Sequence, residues 1–166
     1  MAVTGTTRQN YEQLSFRGPE GSMWTSRARE IIADGVATRT LVPKESGAMC
    51  LFDTSTGVTY TLPTPVIGME FEFATTVAWA SGVYKFITNL ATEFLVGSVT
   101  SVNNAATTGE AFLANGTSHR AVSMGGTTTG GFTGDHFRVT AISATVWFLE
   151  GVYSDSGTAA TPIATS

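Results

Sequence analysis

Two histidines, one cysteine and thirteen carboxylates are the groups from which this chain could build a reactive site. His119 and His136 belong to no H-x-x-x-H or H-E-x-x-H pair, so the spacing offers no zinc centre. Asp135 and His136 are adjacent, and on a strand neighbouring side chains leave by opposite faces. Glu70 and Glu72, two residues apart, share a strand face at roughly 6–7 Å. That spacing suits a glycosidase pair or half a calcium site. A glycosidase also needs a cleft with aromatic platforms, and the plainer reading is a solvent-facing pair on an amphipathic strand. Asp53-Thr54-Ser55-Thr56-Gly57 resembles the start of a calcium loop but lacks its second and third carboxylates.

Other arrangements are equally poor in chemistry. Gly125-Gly126-Thr127-Thr128-Thr129-Gly130-Gly131 has no lysine to complete a phosphate cradle and reads as a flexible loop. There is no G-x-S-x-G elbow, no Walker loop and no G-x-G-x-x-G. Cys50 lies in the apolar run Ala48–Phe52 and reads as a small buried thiol. Asn115-Gly116-Thr117 matches a glycosylation sequon, but Asn-Gly is first of all turn chemistry. Trp147 reads as core, and Trp79 lies beside a turn. The expectation is a protein with no catalytic residues, no cofactor and no metal.

The elements that must carry these residues are strands. Ile67, Met69, Phe71 and Phe73 alternate with Gly68, Glu70, Glu72 and Ala74, the clearest half-buried strand in the chain. Short apolar runs at 39–43 and 48–53, a turn at 54–57, and strands at 58–62 and 94–102 fit the same pattern. Pro63 and Pro65 interrupt pairing. A hairpin is expected between 77–79 and 83–88 around Ala80-Ser81-Gly82, and a second between 110–114 and 118–124 around Asn115-Gly116. Residues 136–142 and 145–153 form a final pair. In the latter, Val146 and Phe148 face away from Trp147, so both faces are apolar. About ten short strands without a long helix predict an all-β fold, an antiparallel β-sandwich or barrel.

Residues 1–36 differ. They are polar, punctuated by glycine, and carry large apolar residues at irregular spacing. We read them as an extended N-terminal arm, in preference to a short helix from residue 25 or 26 to Asp34. Residues 37–153 are the β domain and 154–166 an extended tail. Arg8, Tyr11, Phe16, Arg17, Trp24, Arg27 and Arg29 on the arm are the candidate contacts with a partner: the aromatics need somewhere to bury, and the arginines can fork onto carboxylates.

Composition narrows the partner. Charged residues are only 13% of the chain, while threonine (28 residues) and glycine (18 residues) are abundant. A neutral, hydroxyl-rich surface can sit against another protein without desolvating charges. A net charge of −4 argues against nucleic acid. No window reaches the ~18 apolar residues of a membrane helix and Met1–Phe16 lacks a signal-peptide core, so no membrane partner and synthesis in a reducing cytoplasm are expected.

Four stretches carry a family resemblance. Leu41-Val42-Pro43-Lys44-Glu45-Ser46-Gly47, Leu51-Phe52-Asp53, Val58-Thr59-Tyr60-Thr61-Leu62-Pro63-Thr64-Pro65 and Gly68-Met69-Glu70-Phe71-Glu72-Phe73 together resemble a module of tailed-phage structural proteins. Ala144–Val152, followed by a small-residue tail, is similar too. The likeness covers about a third of the chain. It implies a virion protein made in the host cytoplasm, most like a head decoration (cement) protein. Such proteins are β-rich and often homotrimeric, and reach onto the major capsid protein with arms. The likeness offers no catalytic residues. The alternative it leaves open is a tail-fibre or receptor-binding module that binds host-surface carbohydrate.

Overall fold

The computed structural model describes residues 29–105 and 108–166, and the backbone of 13–17 and 23–27. The chain divides into two units, Met1–Glu30 and Ile31–Ser166. In the first, β1 (Gln13–Arg17) pairs antiparallel with β2 (Met23–Arg27), with Phe16 opposite Trp24. Residues 23–27 are thus strand, not the start of a helix.

The second unit is a β-sandwich. Its strands are β3 (Ile31–Ile32), β4 (Thr38–Thr40), β5 (Met49–Phe52), β6 (Val58–Thr61), β7 (Glu70–Thr75), β8 (Tyr84–Ile87), β9 (Phe94–Asn103), β10 (Ala111–Asn115), β11 (Ala121–Met124), β12 (His136–Ala141), β13 (Val146–Asp155) and β14 (Ile163–Ala164). A seven-stranded sheet runs β10-β9-β13-β12-β7-β5-β3, and a five-stranded sheet runs β14-β11-β8-β6-β4. Both sheets are open, so the barrel alternative is set aside. Among the described residues no helix is long and apolar enough to cross a membrane.

The expected antiparallel pairing holds for only half of the sandwich. β3/β5, β5/β7, β4/β6, β6/β8 and β9/β13 are parallel. Parallel neighbours need a long crossover, commonly a helix. Here the crossover is a strand of the other sheet: from β3 to β8 the chain alternates between sheets, so β3, β5 and β7 stack on one side and β4, β6 and β8 on the other. Both expected hairpins fail for this reason. β8 pairs with β6 and β11, and residues 77–79 are not strand. β10 pairs with β9, while β11 lies in the opposite sheet, so Asn115-Gly116 turns the chain between sheets. Gly116 takes φ 75° there. The Asn115 side-chain oxygen accepts the N–H groups of Thr117 and Ser118.

Two ends of the sandwich come from segments read as arm and tail. Ile31–Ile32 pairs with β5 inside the range assigned to the arm, and Ile32 is buried. Ile163–Ala164 pairs with β11 and buries Ile163. A two-residue apolar run gives too little pattern to announce a strand. Ile67 is exposed, because the chain turns at Gly68 (φ 89°) before β7 begins.

The core is aromatic. Among the described residues nine aromatic side chains are fully buried, Trp147 among them. Phe52 and Phe73 from the larger sheet meet Tyr84 and Phe86 from the smaller one, stacked at 5.0 Å and 4.3 Å between centroids. Each such ring stabilises the fold by about 1.5–3 kcal/mol through burial alone. The buried tyrosines keep their hydroxyls satisfied: Tyr60 donates to the Leu51 carbonyl and Tyr153 to that of Ala160. Burial pushes both phenols well above their ordinary range.

The residues that carried the family resemblance are structural. Glu45, in the 3-10 turn Pro43–Glu45, accepts the Val42 N–H and the Arg39 guanidinium. Ser46 Oγ accepts the N–H of Glu70, and Gly47 (φ 96°) donates its N–H to the Glu70 carbonyl. The Glu-Ser-Gly turn therefore pins the start of β7.

Candidate functional site

The outer face of the larger sheet spans seven strands. Its register sets the rows. Leu113, Ser98, Glu150, Arg138, Glu72, Met49 and Ile31 lie side by side across all seven strands. The neighbouring row holds Asn115, Val96, Phe148, Thr140 and Glu70, and the other flank Ala111, Thr100, Val152, His136, Ala74 and Leu51. Leu113 is 74% exposed, Val102 50% and Phe148 43%. On β10, β9 and β13 this face therefore mixes exposed aliphatic and aromatic groups with hydroxyls. The alternation of β13 decides it: Trp147 and Leu149 point into the core, and Phe148 and Val152 point out.

Charge sits in the middle of that face. Arg138 bonds Glu70 and lies 3.5 Å from Glu150. Directly opposite it on β7 is Glu72. Glu70 and Glu72 do share a face, and Arg138 is set among these acids, which is no glycosidase geometry. Such exposed pairs add at most about 1 kcal/mol each. His136 is exposed on the outer face while Asp135 is buried, as their adjacency on the chain requires.

Of the candidate contacts, Phe16, Arg17, Trp24 and Arg27 lie on β1 and β2, and the backbone register sets Phe16 opposite Trp24. Arg8 and Tyr11 lie outside the described residues. Arg29 is half-buried and has an interaction partner.

The Gly125–Gly134 loop, read as flexible, is strapped down. Gly126 N–H donates to the Gly130 carbonyl, Trp79 N–H to that of Gly131, Ser156 N–H to that of Thr127, and Ala160 N–H to that of Thr128. A Cβ at Gly126 would meet the Trp79 ring at 2.6 Å, and one at Gly131 would meet Trp79 Cβ at 2.8 Å. Both glycines have positive φ, 107° and 109°. The loop is therefore the seat of Trp79, whose indole N–H donates to the Gly82 carbonyl. Gly126→Ala and Gly131→Ala should each lower stability by about 2–3 kcal/mol, combining φ strain with displacement of the indole. Urea denaturation followed by tryptophan fluorescence measures this; a loss below 0.5 kcal/mol in both would contradict the seating.

Sequence reasoning missed the buried acids. Asp135 Oδ2 accepts the N–H groups of Gly131 and Phe132, and Oδ1 accepts that of Ser154. One carboxylate so ties the glycine loop to β13. Burial pushes its pKa up and these bonds pull it back, with burial the larger. The native state then holds a proton at Asp135 at pH values where the unfolded chain has released it. Its contribution is complete below the unfolded value of about 4 and is lost as pH rises through the native one. The melting temperature should fall over that window, and the fall should flatten in Asp135→Asn. Equal slopes in both proteins would refute this assignment. No local motif marks Asp135; only its place beside a glycine loop hints at it.

Asp155 and Glu93 are also buried, each with one carboxylate oxygen lacking a hydrogen-bond partner. Asp53 accepts the Gly35 N–H. Among the described residues no group of three or more His, Cys, Asp or Glu could hold a metal, and Cys50 is a buried free thiol. No protein-family model matches the chain, and no curated protein matches it.

Proposed function

We propose that the chain is a capsid decoration protein, which binds the outside of a phage head and stabilises it by bridging copies of the major capsid protein. The observation that carries this reading is the outer face of the larger sheet: a surface with Leu113, Val102 and Phe148 exposed among hydroxyls, its charges gathered around Arg138. Exposed apolar groups on a stiff scaffold favour contact with another protein. The Phe16–Trp24 pair and the arginines of the first thirty residues supply a second contact element on the same chain. A homotrimer would present three such elements at once and gain affinity through avidity.

Among the described tryptophans the carbohydrate-binding alternative has less support, since Trp147 is core and Trp79 is half-buried against the glycine loop, which leaves the exposed Phe148 as its platform. Stacking platforms for a sugar would need exposed ring faces.

The test mixes the full-length chain with genome-filled and empty heads of a tailed phage encoding it. Co-sedimentation with heads, at a fixed number of copies per capsid unit, is the expected result. Recovery with tails or fibres alone, or glycan binding without head binding, would overturn the reading.

A further inference from the structure

We propose that the cleft between the ends of β9 and β13 and the start of β10 binds a calcium ion, with Asp155 and Glu110 as its charged ligands. This inference stands on its own geometry and does not depend on the capsid reading. The cleft has a volume of about 310 Å³, and its lining includes Ser101, Asn103, Thr108, Glu110, Asp155 and Thr158. Among the described residues no lysine, arginine or histidine lines it.

Asp155 is the decisive residue. It is 0% exposed, yet it lines the cleft. Its Oδ1 accepts the side-chain amide of Asn103 at 2.7 Å, while Oδ2 has no hydrogen-bond partner. A buried carboxylate oxygen without a donor or a cation is strongly unfavourable. Arg138 cannot relieve it, being committed to the outer face of the sheet. Glu110, across the cleft, is exposed and brings a second negative charge.

The other polar groups are uncharged, and the Asn103 side-chain oxygen already accepts the Ala105 N–H. Ser101 Oγ accepts the Glu110 N–H, which fixes the start of β10 beside β9. Asn103 also donates to the Gly157 carbonyl at 2.6 Å, holding the tail against the end of β9. Thr108 and Thr158 bring hydroxyls to the lining, and Gly109, Gly157 and Ala159 complete it. Burial first, and then the negative charges of Asp155 and Glu110 among others, push the nearby Tyr153 phenol upward.

Two carboxylates with neutral oxygens select a hard cation. Calcium tolerates irregular geometry and many oxygen ligands, whereas magnesium demands a tight octahedron. Among the described residues neither histidine nor cysteine lines the cleft, so these offer zinc and copper no soft ligand there. With only two charged ligands the affinity belongs to the weak class, a dissociation constant on the order of 10⁻⁴ M.

The experiment titrates calcium chloride into chelator-treated full-length protein at constant ionic strength, and follows thermal unfolding and tyrosine-sensitised terbium luminescence. At 10 mM calcium the unfolding equilibrium constant should fall about 100-fold, with magnesium at least tenfold less effective. Asp155→Asn should abolish the calcium response. Glu110→Gln alters an exposed side chain and leaves the fold intact, so it keeps the test decisive if Asp155→Asn fails to fold. It should weaken calcium binding at least tenfold. No calcium response up to 10 mM, equal responses to calcium and magnesium, or unchanged binding in Glu110→Gln would each overturn the proposal.

Discussion

Replacing Gly97 by valine should cost the sandwich about 3–5 kcal/mol. Gly97 lies near the middle of β9, opposite Leu149 of β13 and Ala114 of β10. Its φ of 135° lies in a region that side chains avoid. A Cβ there would run into the backbone carbonyl of Leu149. That carbonyl belongs to a rigid, buried strand, which cannot move aside as a flexible side chain would. The parallel pairing of β9 with β13 runs for ten residues and holds Trp147, Leu149 and Leu95 in the core. Distorting its middle therefore disturbs packing as well as the ladder. Losses of this size come from a few mechanisms, and backbone collision in a core is one of them. Ser98→Ala, one residue on and exposed, should change stability by less than about 0.5 kcal/mol. Guanidinium denaturation of both variants checks the contrast; near-equal midpoints would show that β9 accommodates a side chain at Gly97.

Removing residues 1–30 should lower retention on phage heads at least tenfold and leave the melting of the sandwich nearly unchanged. The segment forms its own unit, and its β1/β2 pairing is internal. It carries four arginines against three glutamates, a net +1, whereas residues 31–166 carry five basic against ten acidic residues, a net −5. Ordering an arm costs roughly 1–2 kcal/mol per residue. Its aromatic anchors must offset that term, which several arms docking together can do. Removing residues 1–36 instead should cost a further 2 kcal/mol or so of stability, because it deletes β3 and the buried Ile32. Sedimentation with heads and calorimetry on the two truncations separate these effects. Unchanged retention in the shorter truncation would refute a binding role for the arm.

The strands were largely legible in the sequence because alternation is a local signal. β5, β6, β7, β9, β12 and β13 fall where the pattern puts them. Their partners were not legible. Alternation tells which face of a strand is buried but carries no direction, so parallel and antiparallel neighbours look alike. Asn115-Gly116 specifies a reversal, and only the surrounding packing decides whether that reversal stays within a sheet. Val77–Trp79 looked like strand because it is apolar, while its apolar character serves the seat on the glycine loop. The acids at Glu70 and Glu72 were visible as a pair. Asp135 and Asp155 were not, since what makes them unusual is burial, produced by segments distant in sequence.

The alternation of the chain between sheets from β3 to β8 also sets how the molecule must fold. Within that stretch no two consecutive strands bond to each other, so none of its ladders can form as an isolated hairpin. The β12–β13 pair is the one antiparallel ladder of six residue pairs closed by a short turn, which makes it the natural nucleus. β7 adds to β12, and each further turn of the chain must lay down one strand on each sheet before the next can bind. Loop-closure entropy is thus incurred early and recovered late, which places refolding in the millisecond-to-second range typical of non-local β folds. Unfolding meets the same interlock in reverse. The winding that hid the pairing from sequence inspection thereby favours kinetic persistence, because the inner strands β5 to β8 cannot leave until the edge strands β3 and β4 have peeled from their two sheets.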